Sequence, residues 1–329
     1  DAYYNMGNAL KDMVFKTPDG DLQKKIVALL DKRTFVRPKD IAKAVITLLK
    51  LQPNLQKHIQ AVDEDTIKNP LDIISDLSEL RLLLKLMSVC PLPDLEIEKL
   101  LKKVRYSILS NISSLKEASS ELIGLQSALA HQCFANEYIY DTSDEEETIL
   151  QSLEASVREA LEIDDKLSPH VILALASYRA LNQYDWCNLS VVSDDIKETF
   201  TRQIEEPNEE EKLKQDLAVL EEITDNISSK VREQYEESPY PRWINLGLHS
   251  KPVSISEVAD AIKLKLDDSK ISEIERPEIL IAGCGTGQHS IGTATRFKSS
   301  KVLAIDLSLS SLAYAKRKTE ELGIENIKY

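Results

Sequence analysis

Nine glycines occur in 329 residues, and four of them, Gly283, Gly285, Gly287 and Gly292, fall within ten positions. Between residues 8 and 246 only Gly20 and Gly124 occur. A backbone so short of glycine has few positions for sharp turns or positive φ, which makes hairpins scarce. Apolar residues there recur at helical spacing instead. Leu22, Ile26, Leu29 and Leu30 share one face, as do Ile41, Val45, Leu48 and Leu49 after Pro38 at a first helical turn. Ile73, Ile74, Leu77, Leu80, Leu84 and Met87 form a long stripe that Pro91 and Pro93 stop; Leu100, Leu101, Val104 and Ile108 form another. Ile149, Leu150, Leu153, Val157 and Leu161 make a further one, and Ser168-Pro169 starts the apolar helix from Val171 to Ala180. The region reads as a helical bundle or a stack of helix pairs.

The glycine cluster marks a change of period. Ile279-Leu280-Ile281-Ala282 precedes it, a helix-compatible stretch follows, and Lys301-Val302-Leu303-Ala304-Ile305 then ends on Asp306. That order is strand, glycine turn, helix and a strand tipped by a carboxylate, the opening of a nucleotide-binding βαβ unit. A dinucleotide fingerprint starting at Gly283 needs glycine at 288, where Gln288 stands. The spacing present is G-x-G-x-G, in Gly283-Cys284-Gly285-Thr286-Gly287. After Asp306, Ser308 to Leu322 reads as a helix capped by Gly323, and Asn326-Ile327-Lys328-Tyr329 as the start of a third strand.

These motifs resemble class I S-adenosylmethionine (SAM) dependent methyltransferases, with the glycine loop as their motif I and Asp306 where the motif II acid ends the second strand. Residues from Ile279 to Tyr329 look like one bacterial group of these enzymes that carries tetratricopeptide repeats upstream. So does Gln234-Tyr235-Glu236-Glu237-Ser238-Pro239-Tyr240-Pro241-Arg242-Trp243, and Tyr3 to Leu10 resembles the first helix of such a repeat. The resemblance implies SAM as cofactor. Gly283, Cys284, Gly285, Thr286 and Gly287 would pass beside its methionine end, Asp306 would accept from the ribose hydroxyls, and Leu307 completes the set. It also implies a larger sheet than residues 279–329 supply, so these residues read as an early fragment of the core, inactive alone. The expected fold is a mainly α helical domain followed by a partial α/β Rossmann-like methyltransferase domain. Its parts are a repeat-helix remnant at 1–17, a helical domain at 18–206, a helical bridge with the Tyr-Pro-Arg-Trp segment at 207–275, and the SAM-binding part at 276–329. The bridge helix from Pro207-Asn208 carries Leu213, Leu217, Leu220, Ile223 and Ile227; Val258, Ile262 and Leu266 mark one more helix before the first strand.

Several features carry no site. The net charge of −14 repels phosphate backbones and argues against nucleic acid as a partner. No run of about 18 apolar residues is present, so no membrane span is expected. Cys90, Cys133, Cys187 and Cys284 lack C-x-x-C pairing, which suits reduced thiols in a cytoplasm and no zinc. Asp144-Glu145-Glu146-Glu147 after Ser143 reads as an acidic first helical turn rather than a metal cluster. Tyr138, Tyr140, Tyr184 and Trp186 read as buried aromatics with satisfied polar tips. No catalytic base is named, and the methyl acceptor stays open, a protein among the candidates, as does the oligomeric state. The competing reading is a helical protein-interaction module with a non-catalytic Rossmann-like end; a dinucleotide enzyme comes third.

Overall fold

The computed structural model describes residues 2–67, 70–115, 119–163, 167–187, 193–220, 226–237, 239–265 and 269–329. It is mostly helical, with one small parallel sheet near the carboxyl end. Two compact units divide the chain: Ala2–Pro207 with Trp243–Asn245, and Asn208–Arg242 with Leu246–Tyr329. Among the described residues no helix is long and apolar enough to cross a membrane.

The first unit forms its helices where caps and stripes coincide. Asp19, Asp94, Ser119 and Ser143 accept hydrogen bonds from the first turns of the helices they precede. Pro38, Pro53 and Pro169 open others, where a missing N–H costs nothing. The acidic run is such a start: Glu146 N–H donates to Ser143 Oγ at 3.2 Å, and Ser143 N–H to Glu146 Oε2 at 2.8 Å, a reciprocal capping box. Tyr138 and Tyr184 donate to the carbonyls of Ala176 and Leu175. The helix Ala2–Leu10 brings Gly7 against Val36; a Cβ on Gly7 would lie 3.1 Å from the Val36 Cβ.

Two expectations fail locally. The stripe from Ile73 to Met87 is two helices, Pro70–Ser78 and Arg81–Met87, because the backbone at Leu80 leaves the helical region (φ −82, ψ 71). Ser78 Oγ bonds back to Ser75 O at 2.7 Å, competing with the helical ladder. The break turns Leu82, Leu83, Leu86 and Met87 to the core, while Leu80 and Leu84 are only half-buried. At Pro207, where the bridge helix is expected to begin, helix is already under way. A π turn over Thr201–Glu205, in which Glu206 N–H reaches Thr201 O, makes room before the proline, and Glu206–Gln215 follows as α-helix. That helix ends at Gln215, short of the longer one expected, and Asn226–Glu237 forms separately. Ile223, Ser238 and Leu266 lie outside the described residues.

In the second unit, β1 (Glu278–Ala282), β2 (Lys301–Ile305) and β3 (Ile327–Lys328) form a parallel sheet in that order. The register pairs Ile279 with Val302, Ile281 with Ala304 and Ala282 with Ile305. The helices Gln288–Arg296 and Leu309–Glu321 make the crossovers. Ile281, Cys284, Ala294, Val302, Ala304 and Leu312 form the core on one face of the sheet. Leu280 and Leu303, partners in the register, point to the other face and are 63% and 47% exposed. Asn326 Nδ2 donates to the carbonyls of Ala294 and Ser300 at 3.1 and 3.0 Å, which seats β3 beside β2.

Candidate functional site

The carboxyl ends of β1 and β2 are joined through the glycine loop. Gly283 N–H and Cys284 N–H both donate to Ile305 O, at 2.8 and 3.1 Å. One residue further, Gly285 N–H donates to Asp306 Oδ2 at 2.8 Å. The other carboxylate oxygen accepts from Ser308 N–H at 3.1 Å. Asp306 is thus half-buried at the tip of β2, fixed between the loop and the helix that starts after it. A bond from an amide to an ionised acceptor is among the stronger ones in a protein.

The three loop glycines have positive φ, +72 at Gly283, +51 at Gly285 and +86 at Gly287, where any side chain costs energy. Their surroundings differ. A Cβ on Gly283 or Gly285 would meet nothing within 4 Å, whereas one on Gly287 would sit 2.7 Å from the Ala315 Cβ. Gly287 is therefore also a packing residue, letting the helix Gln288–Arg296 approach Leu309–Glu321. Gly283 and Gly285 leave backbone beside open space, the arrangement that lets a ligand approach the chain closely.

The remaining sequence-derived residues split. Cys284 points into the core, and burial, with Asp306 next, pushes its thiol up to about 12. A thiol held protonated is no nucleophile at neutral pH, so Cys284 can offer a ligand only its backbone. Thr286 is buried and donates from Oγ1 to Pro241 O at 2.9 Å. Leu307 follows the acid and is 45% exposed.

Sequence reasoning missed a second set of groups here. The helix Leu309–Glu321 has no acid in its own first turn. Glu236 supplies one: its carboxylate accepts from Leu309 N–H, and from Ser310 N–H at 3.3 Å. Ser310 Oγ donates to Glu236 O at 2.8 Å and Ser308 Oγ to Tyr235 O at 3.0 Å. The sequence leaves open whether the Tyr-Pro-Arg-Trp segment folds over the cofactor or only joins two domains, and it singles out neither Tyr235 nor Glu236; the local sign beside Leu309 is a first turn without an acid.

A glycine loop and a carboxylate thus stand together at the carboxyl ends of parallel strands, the place where open α/β sheets bind ligands. Residues 279–329 match the family model of a methyltransferase domain. The matched stretch holds nearly all of the sheet and both crossover helices, so the glycine loop and Asp306 lie within the part of the chain that is similar to a methyltransferase domain. Tyr235–Arg242 and the helical unit lie upstream of it. No curated protein and no solved structure matches the chain. Among the described residues no group of three or more His, Cys, Asp or Glu side chains is arranged to hold a metal ion.

Proposed function

We propose that this chain carries the SAM-binding part of a class I methyltransferase. The observation that supports it best is Asp306, placed at the end of β2 within a methyltransferase domain segment and tied to the amide of Gly285. SAM fits the groups present. Gly283 and Gly285 leave room for its methionine end along the backbone, with the Cys284, Thr286 and Gly287 main chain continuing that surface. Asp306 accepts two N–H bonds and, with about four lone-pair sites on a carboxylate, has capacity for ribose hydroxyls. Leu307 offers an exposed apolar side chain to the base. The charged groups fixed at these strand ends, Asp306 and Glu236, are acids, which suits a sulfonium cation better than a pyrophosphate.

SAM, when bound, supplies an electrophilic methyl group on a positively charged sulfur. The tasks left to this chain are to hold the ligand and align the acceptor, and alignment alone can supply much of the rate. No general base is assigned, since both acids nearby are engaged in hydrogen bonds. The helical unit, repeat-like at its first helix, docks the acceptor in this reading, with a protein as one acceptor class and the cytoplasm as the compartment.

Calorimetry with SAM, S-adenosylhomocysteine and NAD side by side tests the reading. Measurable heat with S-adenosylhomocysteine and none with NAD supports it. Binding of NAD alone overturns it in favour of a dinucleotide enzyme, and binding of neither favours the non-catalytic interaction module.

A further inference from the structure

We propose that Tyr235–Glu237 and Pro239–Arg242, upstream of the methyltransferase domain segment, form a wall of the cofactor crevice. In this wall Glu236 positions the turn that carries Asp306 and Leu307, and Tyr240 meets the adenosine half of the ligand. The proposal rests on reading the crevice as a SAM site.

Three hydroxyl side chains carry the argument. Thr286, Ser308 and Ser310 are each more than nine-tenths buried. Each gives a hydrogen bond to this segment: to Pro241 O at 2.9 Å, to Tyr235 O at 3.0 Å and to Glu236 O at 2.8 Å. A buried hydroxyl without a partner is costly, so the folded state of the sheet's carboxyl end needs the segment seated against it. It is therefore part of the built structure rather than a linker laid over it.

The anchors fall on both sides of Asp306. Thr286 belongs to the glycine loop, while Ser308 and Ser310 open the helix after β2. Loop and helix start meet at Asp306 through the Gly285 and Ser308 amides. A segment bonded to both must pass along the carboxyl ends of β1 and β2, where open α/β sheets bind ligands. Its far end is held too: Arg242 pairs at 3.8 Å with Glu210, which Arg317 Nε also binds at 2.8 Å.

Glu236 acts through the helix start. Its carboxylate takes the N–H groups of Leu309 and Ser310, which favour negative charge at a helix N-terminus. Ser308, one residue before them, is bonded to Asp306, so fixing this turn fixes the ribose-binding acid. Tyr240 lies between the two sets of anchors, next to Pro241, with 54% of its surface exposed. An exposed aromatic ring beside a nucleoside crevice suits a planar base.

Hydrogen exchange and calorimetry with S-adenosylhomocysteine, on the 329-residue chain and its variants, test this. The ligand should slow exchange in peptides carrying Tyr235–Glu237 and Tyr240–Arg242 as well as in those carrying 283–287. Tyr240→Ala should weaken binding about tenfold with an unchanged melting curve. Glu236→Ala should weaken it by a similar factor, and Glu236→Gln, which keeps an acceptor oxygen, should recover most of the loss. Protection of 283–287 without any change at 235–242, together with wild-type affinity in Tyr240→Ala, would sink the wall and leave the cofactor reading standing. No binding to the wild-type chain removes the cofactor reading, and the wall with it.

Discussion

Replacing Asp306 should damage structure and binding together, and the two losses can be measured apart. Its carboxylate accepts from Gly285 N–H at 2.8 Å and Ser308 N–H at 3.1 Å. Hydrogen bonds to charged groups are each worth about 1.5–3 kcal/mol net. Because the site is half-exposed, water can replace part of each bond in the variant, and the low end applies. Asp306→Ala should therefore cost the second unit about 2–3 kcal/mol. Asp306→Asn keeps one acceptor oxygen but turns an amide NH₂ toward the other donor, so about half that loss is expected. Under the proposed function a ribose contact adds to this in binding: about 1.5–3 kcal/mol, or roughly 10- to 150-fold in affinity for S-adenosylhomocysteine.

The assay must separate these contributions, since a two-unit chain has no single unfolding free energy. Amide exchange in peptides covering 283–287 and 306–310 reads the local loss without ligand. Calorimetry, corrected for the fraction folded, reads the binding loss. Unchanged exchange in Asp306→Ala would show that the two amide bonds do not hold the loop. Unchanged affinity once folding is accounted for would show that the acid does not touch the ligand.

Gly287→Ala should destabilise the second unit by about 3 kcal/mol in denaturant titration, combining a left-handed backbone with a 2.7 Å approach to Ala315, whereas Gly283→Ala should cost about 1 kcal/mol, having only the backbone term. Of the four cysteines, Cys90, Cys133 and Cys284 are buried, with burial pushing each thiol up to about 12. Thiol titration of the native chain at pH 8 should thus label Cys187 alone, and all four after unfolding. His131 is buried with its pKa lowered, by desolvation first and then by Arg202. The unfolded chain takes up a proton below about pH 6.5 that folded His131 refuses, so stability is full above that pH and falls on acidification. Denaturant unfolding at stepped pH should show His131→Gln flattening this dependence by up to ~1.4 kcal/mol per unit.

What could be read from the sequence was what local patterns encode. The strand, glycine turn, helix and acid of 279–306 depend on neighbours a few residues apart, and the parallel sheet forms there. Helix starts such as that of Asp144–Glu162 were likewise visible from the acidic run after Ser143. The break at Leu80 was not, because periodicity sums apolar residues without registering that the core takes Leu82 and Leu83 where the stripe has Leu80 and Leu84. Helix running through Pro207 was equally hidden: a π turn is a backbone solution no side-chain pattern announces.

The site shows the same division more sharply. Asp306 was legible because it ends an apolar run at a fixed distance from a glycine loop. The groups that hold it were not, because Glu236 caps the helix starting at Leu309 from 73 positions away. Nothing near Leu309 signals the need, except that its first turn, Leu309-Ser310-Ser311-Leu312, has no acid of its own. Ser308 caps this helix and Asp306 lies just before it, yet the Leu309 and Ser310 amides take their negative charge from elsewhere in the fold. Thr286 likewise sends its hydroxyl to a carbonyl far away in sequence, that of Pro241. Partners so remote in sequence leave no local pattern to read, and here Glu236 and Pro241 supply them.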